Sequence, residues 1–431
     1  MPETIETIYS RFIEHPVIST DSRKITPGSI FFALQGESFN GNDYASAALE
    51  KGASFAVVDD LNYTGQEGFL VVNNVLKTLQ QLALHHRNMF SVPVIAITGT
   101  NGKTTTKELI NAVLSKKFKT LATTGNLNNH IGVPLTLLKL NEGTQMAVIE
   151  MGANHPGEID FLCRIADPTH GIITNVGMAH LEGFGSFEGV VRTKTELYRY
   201  IMEKNGTIFI NSTDPILHDH STRIMSVSYG PTPANLVSLN MQADPYVQVS
   251  MAFQDNQQIT VQSNLYGLYN SYNILAAACI GQYFGVTSEE IKAAIEDYRP
   301  VNNRSQVVNT GRNTLILDAY NANPSSMAAA LTSFAGSTYP DKTVILGDML
   351  ELGVVTDDEH FRILDSLAQF DFQHVYLVGP VFTRLNSKRE YICFHDSELA
   401  GMWFDHHKIE NTAVLIKGSR GIRLEKVIEF L

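Results

Sequence analysis

Short apolar runs broken by Gly, Asn and Asp open the chain. SIFFAL (29–34), FAVVDD (55–60) and FLVVNN (69–74) each predict a strand. VLKTLQQLALHHRNMF (75–90) predicts a helix that ends before Pro93. The apolar run from Val94 to Thr98 predicts a strand leading into AITGTNGKTTTKELI (96–110), with a helix from about Thr104. QMAVIEM (145–151) and HGIITNV (170–176) predict further strands, with helical segments between them. That alternation implies a parallel sheet covered on both faces. YGLYNSYNILAAACIGQYFG (266–285) predicts a buried helix, and YRPVNNRSQ (298–306) a linker that could hinge near residues 299–304. Beyond it TLILDAY, KTVILGD, HVYLVGP and TAVLIKGSRG alternate with helices from Ser325, around Glu359 and at the C-terminal end.

The pattern therefore predicts an α/β chain of three domains. Residues 1–91 form a small α/β N-terminal domain. Residues 92–302 form a central domain with a P-loop-type, mostly parallel sheet and helices on both faces. Residues 303–431 form a C-terminal Rossmann-like domain. In such sheets ligands sit at the carboxyl ends of the strands, which in the last domain carry Asp318, Asp348, Gly379 and Lys417.

Composition changes this picture little. Apolar residues make up 44% of the 431, enough for several cores, and 18% are charged, too few for a disordered chain. A net charge of −12 argues against a broad nucleic-acid or anionic-membrane surface. Cys163, Cys279 and Cys393 have no paired spacing, so disulfides are not expected and a reducing compartment fits. No apolar run approaches the length of a membrane span, and MPETIETIYSRF has no signal-peptide pattern. A cytoplasmic monomer is expected, without nucleic acid and without membrane insertion.

The chemistry concentrates first at Gly99–Thr105. Gly102, Lys103 and Thr104 supply the second half of G-x-x-x-x-G-K-[ST], but Ile97 stands where the first glycine belongs. Position 97 lies inside the predicted strand, so a shorter loop remains workable. Gly99 and Gly102 still allow N–H groups to turn inward, Lys103 would reach the outer phosphates, and the Thr104 hydroxyl would face Mg²⁺. The plainer alternative is a Gly/Asn turn between strand and helix.

A second signal lies in GSFEGVVRTKTELYRYI (185–201). On one continuous helix Val190, Lys194, Leu197, Tyr198 and Ile201 share a stripe, while Arg192, Glu196 and Arg199 fall off it. Lys194 then faces the core, where a lone ammonium is costly. It snorkels, pairs with an acid, or is chemically altered. Glu150 ends a strand and His180 follows another after a short loop, so both should open toward the phosphate loop's crevice. Singly, Glu150 could cap a helix and His180 could be an ordinary loop histidine. Together with Gly-Lys-Thr they look like Mg²⁺ ligands, the imidazole being the unusual member.

TGTNGKTTT, with no distal glycine, resembles the phosphate loop of the Mur ligases, the ATP-dependent amide-forming enzymes of peptidoglycan precursor synthesis. The resemblance covers essentially the whole chain. It implies that Lys194 is the lysine carbamylated in that family, and that Thr104, Glu150, His180 and the Lys194 carbamate hold Mg²⁺. STDSRKITPGSIFFALQGESFNGNDYA (19–45) is similar to the family's uridine-nucleotide-binding opening, with Ser22 and Arg23 near the nucleotide. TTGNLNNHIGVPLTLL (123–138) resembles the segment facing the sugar-peptide, with Asn126, Asn128, Asn129 and Gly132 as candidates. GLYNSYNILAA (267–277) resembles the adenine-side segment, giving Asn270 and Asn273, with Tyr269 where His is commoner. VNNRSQ (301–306) resembles the segment whose arginine reaches phosphate, giving Arg304, with Asn303 in place of a usual glycine.

LILDAYNANPSSM (315–327) and LGDMLELG (346–353), followed by His360, resemble the D-alanyl-D-alanine-adding branch, and no D-N-P-R string of the diaminopimelate- or lysine-adding branch is present. The resemblance implies ATP and Mg²⁺, UDP-N-acetylmuramoyl-tripeptide and D-alanyl-D-alanine as substrates, and an acyl-phosphate intermediate. Lys103, Lys194, His180 and Arg304 would be catalytic. Gly99, Thr100, Asn101, Gly102, Lys103, Thr104, Thr105, Asn270, Asn273, Arg304 and Asp318 would surround ATP. Tyr320, Asn321 and Asn323 would face the dipeptide. The competing readings are the tripeptide-forming ligase, a folate polyglutamate synthetase, and a nucleotide-driven switch indifferent to small amines.

Overall fold

Strands in the C-terminal domain alternate faces residue by residue, and this fixes its layers. In the computed structural model, which describes residues 2–301, 303–386 and 391–431, Ile316, Val344, Leu346, Leu377 and Leu415 point into one core. Leu315, Leu317, Ile345, Tyr376, Val378, Val414 and Ile416 point into another. The helices Pro324–Ala335 and Thr356–Leu367 cover the first face through Met327, Leu331, Phe334, Ile363 and Leu364, and Ser397–His406 covers the second through Ala400 and Phe404. Strand order is Gln306–Asn309, Thr314–Leu317, Ala413–Lys417, Lys342–Gly347, His374–Val378, Ile392–Phe394. All neighbours are parallel except the first pair. The carboxyl ends carrying Asp318, Lys417 and Asp348 are thus adjacent.

The architecture is mixed α/β: a small N-terminal domain, a central domain with a mostly parallel sheet, and this C-terminal mixed sheet. The chain packs as two units. One comprises the chain up to Ile97 with Phe118–Ala153 and Gly157–Gly171; the other comprises Thr98–Lys117, Asn154–Pro156 and Ile172–Leu431.

In the first unit Ile18–Ser19, Ile30–Phe32, Phe55–Val58 and Phe69–Val71 form an all-parallel sheet in that order. The helix Val75–Arg87 follows, as its spacing predicts. The unit also holds Val94–Ile97 of the next strand, parallel to Met146–Glu150, with Thr120–Ala122 beyond it. Ile97 is fully buried and in register with Glu150, so the position of the missing glycine is a strand position.

In the second unit Thr207–Asn211 pairs in parallel with Met225–Gly230. Leu236–Ala243, Tyr246–Ala252 and Gln258–Tyr266 then form an antiparallel meander. The apolar-run reading missed this meander. Its strands alternate instead, Tyr246–Ala252 burying every second residue. The helix Ser288–Asp297 packs on it and starts with a complete capping box: Glu290 N donates to Thr287 Oγ1 (3.3 Å) and Thr287 N to Glu290 Oε2 (3.1 Å). Thr287→Ala is expected to cost about 1 kcal/mol, read as a lower urea midpoint, with little effect on turnover.

Two expectations about helices are corrected. The segment carrying Lys194 is two helices, Phe187–Lys194 and Glu196–Glu203. The Thr195 hydroxyl donates back to the carbonyls of Val191 (2.9 Å) and Arg192 (3.2 Å), a competition that bends helices. The stripe Val190, Lys194, Leu197, Tyr198 and Ile201 is buried as read, but Glu196, expected outside it, is buried too. At the C-terminal end 3₁₀ turns, Arg420–Ile422 and Leu424–Phe430, replace the expected helix, interrupted by Arg423 at φ +58°. Asn302 of the linker lies outside the described residues.

Candidate active site

The phosphate loop owes its shape to close neighbours. Gly99 adopts φ +140°, and a Cβ there would stand 2.1 Å from Thr174 Oγ1, so a side chain is excluded on both counts. Gly102 adopts φ +77° immediately before the helix Lys103–Leu114, and a Cβ would stand 2.7 Å from Asn273 Oδ1. The backbone N–H of Thr100 donates to the carbonyl of Asn175 (2.9 Å), and Thr100 Oγ1 accepts from Gly177 N (2.9 Å). Thr104 and Thr105 are nearly buried in the first turn of a helix whose positive end faces the loop. Lys103 Nζ folds back onto the carbonyls of Gly99 (2.7 Å) and Thr100 (3.0 Å), so it must leave them to reach a phosphate.

A chain of amides supports the loop from behind. Thr106 Oγ1 donates to Asn273 Oδ1 (3.0 Å), Asn273 Nδ2 to Asn270 Oδ1 (2.7 Å), and Asn270 Nδ2 to Tyr266 O (2.7 Å) and Ser305 Oγ (3.0 Å). The two asparagines read as adenine-side residues are therefore committed to loop support. Tyr269, at the position where His is commoner, directs its hydroxyl to Ser305 (3.2 Å). Burial holds that phenol well above its usual range.

His180 and Lys194 meet the same ring. The His180 imidazole packs edge-on to Phe184 (centroids 6.2 Å apart), and Lys194 Nζ lies 5.4 Å from the Phe184 centroid. Lys194 is 2% exposed, so it does not snorkel. His180 sits at φ +50° and its Nδ1 contacts the carboxylate of Glu351, itself at φ +63°. That imidazole contact pulls the Glu351 carboxyl below its usual range. The reading of LGDMLELG left Glu351 without a role.

The loop bearing Glu351 is fixed at its base. Met349 N donates to His360 Nε2 (3.0 Å), and the His360 ring Nδ1 bonds Thr356 O (2.7 Å). Asp348 accepts from the N–H groups of Val381 (2.8 Å) and Phe382 (2.9 Å). Burial pushes the Asp348 carboxyl up and the His360 imidazole down.

On the neighbouring strand ends, buried Lys417 pairs with Asp318 (2.6 Å) and reaches Asn321 O (3.4 Å). Arg304 stacks on the Tyr320 ring at 3.5 Å, while Arg420 lies 5.2 Å from the same ring and donates to the Tyr320 hydroxyl (3.2 Å). Arg420 was not among the residues read from the sequence; no pattern distinguishes it from a solvated loop arginine. The Asn321 side chain accepts from Ala322 N (3.0 Å), and Asn323 caps the helix Pro324–Ala335.

The remaining candidates lie in the first unit. Buried Glu150 accepts from Asn128 Nδ2 (2.8 Å), so one candidate orients another. Asn128 N bonds Asn126 O (2.8 Å), and Asn129 Oδ1 caps Ile131 and Gly132 at 3.1 and 2.9 Å. Arg23 forms a two-pronged bond to Asp21 (2.8 Å each), which draws that carboxyl down to about 2, while Ser22 O accepts from Lys51.

Among the described residues no three His, Cys, Asp or Glu side chains converge as a self-sufficient metal cage. A cation that rides on substrate phosphates needs no such cage. In the second unit the buried Thr104 hydroxyl is a hard oxygen donor of the kind such a cation takes. No helix among the described residues is long and apolar enough to cross a membrane.

Family models match along the chain: Mur ligase family, catalytic domain, at residues 16–95; Mur ligase middle domain at 97–281; and Mur ligase, glutamate ligase domain, at 303–420. UDP-N-acetylmuramoyl-tripeptide–D-alanyl-D-alanine ligase of Bacillus subtilis is 32% identical, covering 98% of this chain and 94% of its own. A crystal structure of MurF from Acinetobacter baumannii superposes with a TM-score of 0.89 at 29% identity, covering 100% of this chain and 98% of that one. MurF ligase from Thermotoga maritima in complex with ADP gives a TM-score of 0.86 at 27% identity, with 97% of each chain covered.

Proposed function

The chain belongs to the Mur ligase family, and from that membership we propose how its residues perform the family's reaction. The protein is an ATP-dependent, ADP-forming ligase that joins D-alanyl-D-alanine to UDP-N-acetylmuramoyl-tripeptide in peptidoglycan synthesis. The observation that carries this reading is the glycine-shaped loop Gly99–Thr104 set between a strand and a helix N-terminus.

A carboxylate does not acylate an amine without a leaving group. The terminal carboxylate of the tripeptide attacks the γ-phosphorus of ATP, the bond to the β-phosphate oxygen breaks, and an acyl phosphate and ADP form. The amine of D-alanyl-D-alanine then attacks the acyl carbon, phosphate leaves, and the surplus amine proton passes to solvent. Two anions meet in the first step, so electrostatic stabilisation dominates it. Lys103 swings from the loop carbonyls to the outer phosphates. Arg304 leaves the Tyr320 face for phosphate, and the N–H groups following Gly102 hold phosphate oxygens.

Thr104, Glu150, His180 and Lys194 as its carbamate would hold Mg²⁺, which neutralises phosphate charge when bound. Carbamylation turns the buried Lys194 cation into an anion, which supports the reading of its inward direction. The N-terminal residues 1–91, with Ser22 and Arg23, take the uridine nucleotide. Residues 92–302 take ATP and, through Asn126, Asn128, Asn129 and Gly132, the sugar-peptide. Residues 303–431 take the dipeptide beside Asp318, Tyr320 and Asn321. The protein acts as a cytoplasmic monomer.

The test is phosphate release with ATP, Mg²⁺ and UDP-muramoyl-tripeptide. Release is expected to depend on D-alanyl-D-alanine and to be absent with diaminopimelate, lysine or glutamate as the amine. Equal release with every amine, or release with none, contradicts the reading.

A further inference from the structure

Asn101 closes a ring of three side-chain hydrogen bonds with the cap of the helix Pro324–Ala335. Asn101 Nδ2 donates to Ser325 Oγ (3.0 Å), Ser325 Oγ to Asn323 Oδ1 (2.9 Å), and Asn323 Nδ2 to Asn101 Oδ1 (2.8 Å). The direction of the ring is fixed. Asn323 Oδ1 also accepts from Ser326 N (2.9 Å) as the helix cap, so its amide cannot be reversed, and that of Asn101 must match it. The backbone of Asn101 is gripped from the other side. Its N–H donates to Asn175 Oδ1 (3.0 Å), and its carbonyl accepts from Thr174 Oγ1 (2.6 Å) and Asn175 Nδ2 (3.0 Å). Gly177 passes so near that a Cβ there would stand 2.8 Å from Ser325 Oγ. The loop residue preceding Gly102 is thus held between the segment 174–177 and the cap 323–325.

We propose that Asn101, Asn323 and Ser325 form a latch through which the C-terminal loop sets the shape of the phosphate loop. The inference rests on reading residues 99–104 as the ATP loop. Asn101 and Ser325 are positioning residues. A rotation of Asn101 is passed directly to Gly102, whose left-handed backbone aims the next N–H groups. The phosphoryl-transfer transition state demands tighter aim than binding does, so the latch acts on kcat more than on nucleotide affinity. Each ring member needs the other two, so removing one opens the whole ring. The arrangement couples ATP chemistry to the loop that follows Asp318, so the phosphate loop is fully shaped when that loop is docked.

The experiment measures phosphate release by the full chain and by N101A, S325A and their double variant, with Lys103→Ala alongside. ADP affinity is read by calorimetry and folding by thermal melting. S325A keeps the bond from Ser326 N to Asn323, so the helix cap survives it even if N101A melts early. Each single variant is expected to lower kcat about tenfold, and the double by no more than about twofold beyond the worse single, because the ring is already open. For S325A, whose residue lies outside the loop read as surrounding ATP, ADP affinity is expected to stay within about twofold of the parent. Losses that multiply in the double variant, an unchanged kcat in S325A, or ADP affinity of S325A falling in step with its kcat would overturn the latch. Full turnover by Lys103→Ala would instead overturn the ATP-loop reading beneath it, whereas loss there with normal S325A removes the latch alone.

Discussion

Lys103→Ala is expected to lower kcat/KM for ATP by about 10³-fold while the protein stays folded. The magnitude follows from the chemistry. The first step drives a carboxylate against a phosphate that already carries negative charge, and charge spreads over the phosphoryl oxygens as the bond breaks. A cation that meets those oxygens in a site shielded from water is worth several kcal/mol there. The fold does not depend on it, because Lys103 Nζ rests on two loop carbonyls, Gly99 O and Thr100 O, rather than in a core. Those carbonyls can take water instead. The check is a pair of measurements, phosphate release and thermal melting. Normal turnover with an intact fold would remove Lys103 from the chemistry.

Lys194→Ala is expected to cost a comparable factor, about 10³-fold in kcat, with partial recovery when a short carboxylic acid is supplied in place of the missing carbamate. Lys194 is 2% exposed and its ammonium lies over the Phe184 ring, to which the His180 ring stands nearly perpendicular. At that buried point a carbamate would supply two oxygens to a cation. Truncation also leaves a cavity, so Lys194→Met, which fills most of the volume, separates packing from chemistry. Both variants should lose activity, and Lys194→Met should melt near the parent. Full activity in Lys194→Met would contradict the carbamate assignment. Loss in alanine alone would reduce Lys194 to a packing residue.

How much of this was legible in the sequence depended on how each segment buries its side chains. Parallel strands covered on both faces read as unbroken apolar runs, and SIFFAL, VIAIT, KTVILG and AVLIK all mark real strands. The meander 236–266 was illegible by the same rule, since half its residues face solvent and the apolar signal is diluted to alternation. The Lys194 stripe was legible through helical spacing, but the break at Thr195 was not, because it arises from one hydroxyl turning back on Val191 and Arg192.

The phosphate loop was legible because Gly-Lys-Thr must stand together in the chain. Its supports were not, because they come from distant segments. Asn273 behind Gly102, Glu351 against His180 and the Asn323–Ser325 cap on Asn101 are pairings of residues 171 to 224 positions apart. Resemblance supplied Asn273 and Asn323 as ligand-facing candidates, yet their amides are spent inside the protein. A motif identifies which residues gather at a site; it does not say which of them are turned toward the substrate and which hold the others in place.

The central claim, that Gly99–Thr104 grips the triphosphate whose terminal phosphorus accepts the carboxylate, is tested most directly by a crystal structure with Mg²⁺ and a non-hydrolysable ATP analogue. The account predicts density for the β- and γ-phosphates against the N–H groups of Gly102, Lys103 and Thr104, with Lys103 Nζ withdrawn from the carbonyls of Gly99 and Thr100 and directed at the γ-phosphate. A triphosphate bound elsewhere, with Lys103 still resting on those two carbonyls, would contradict it.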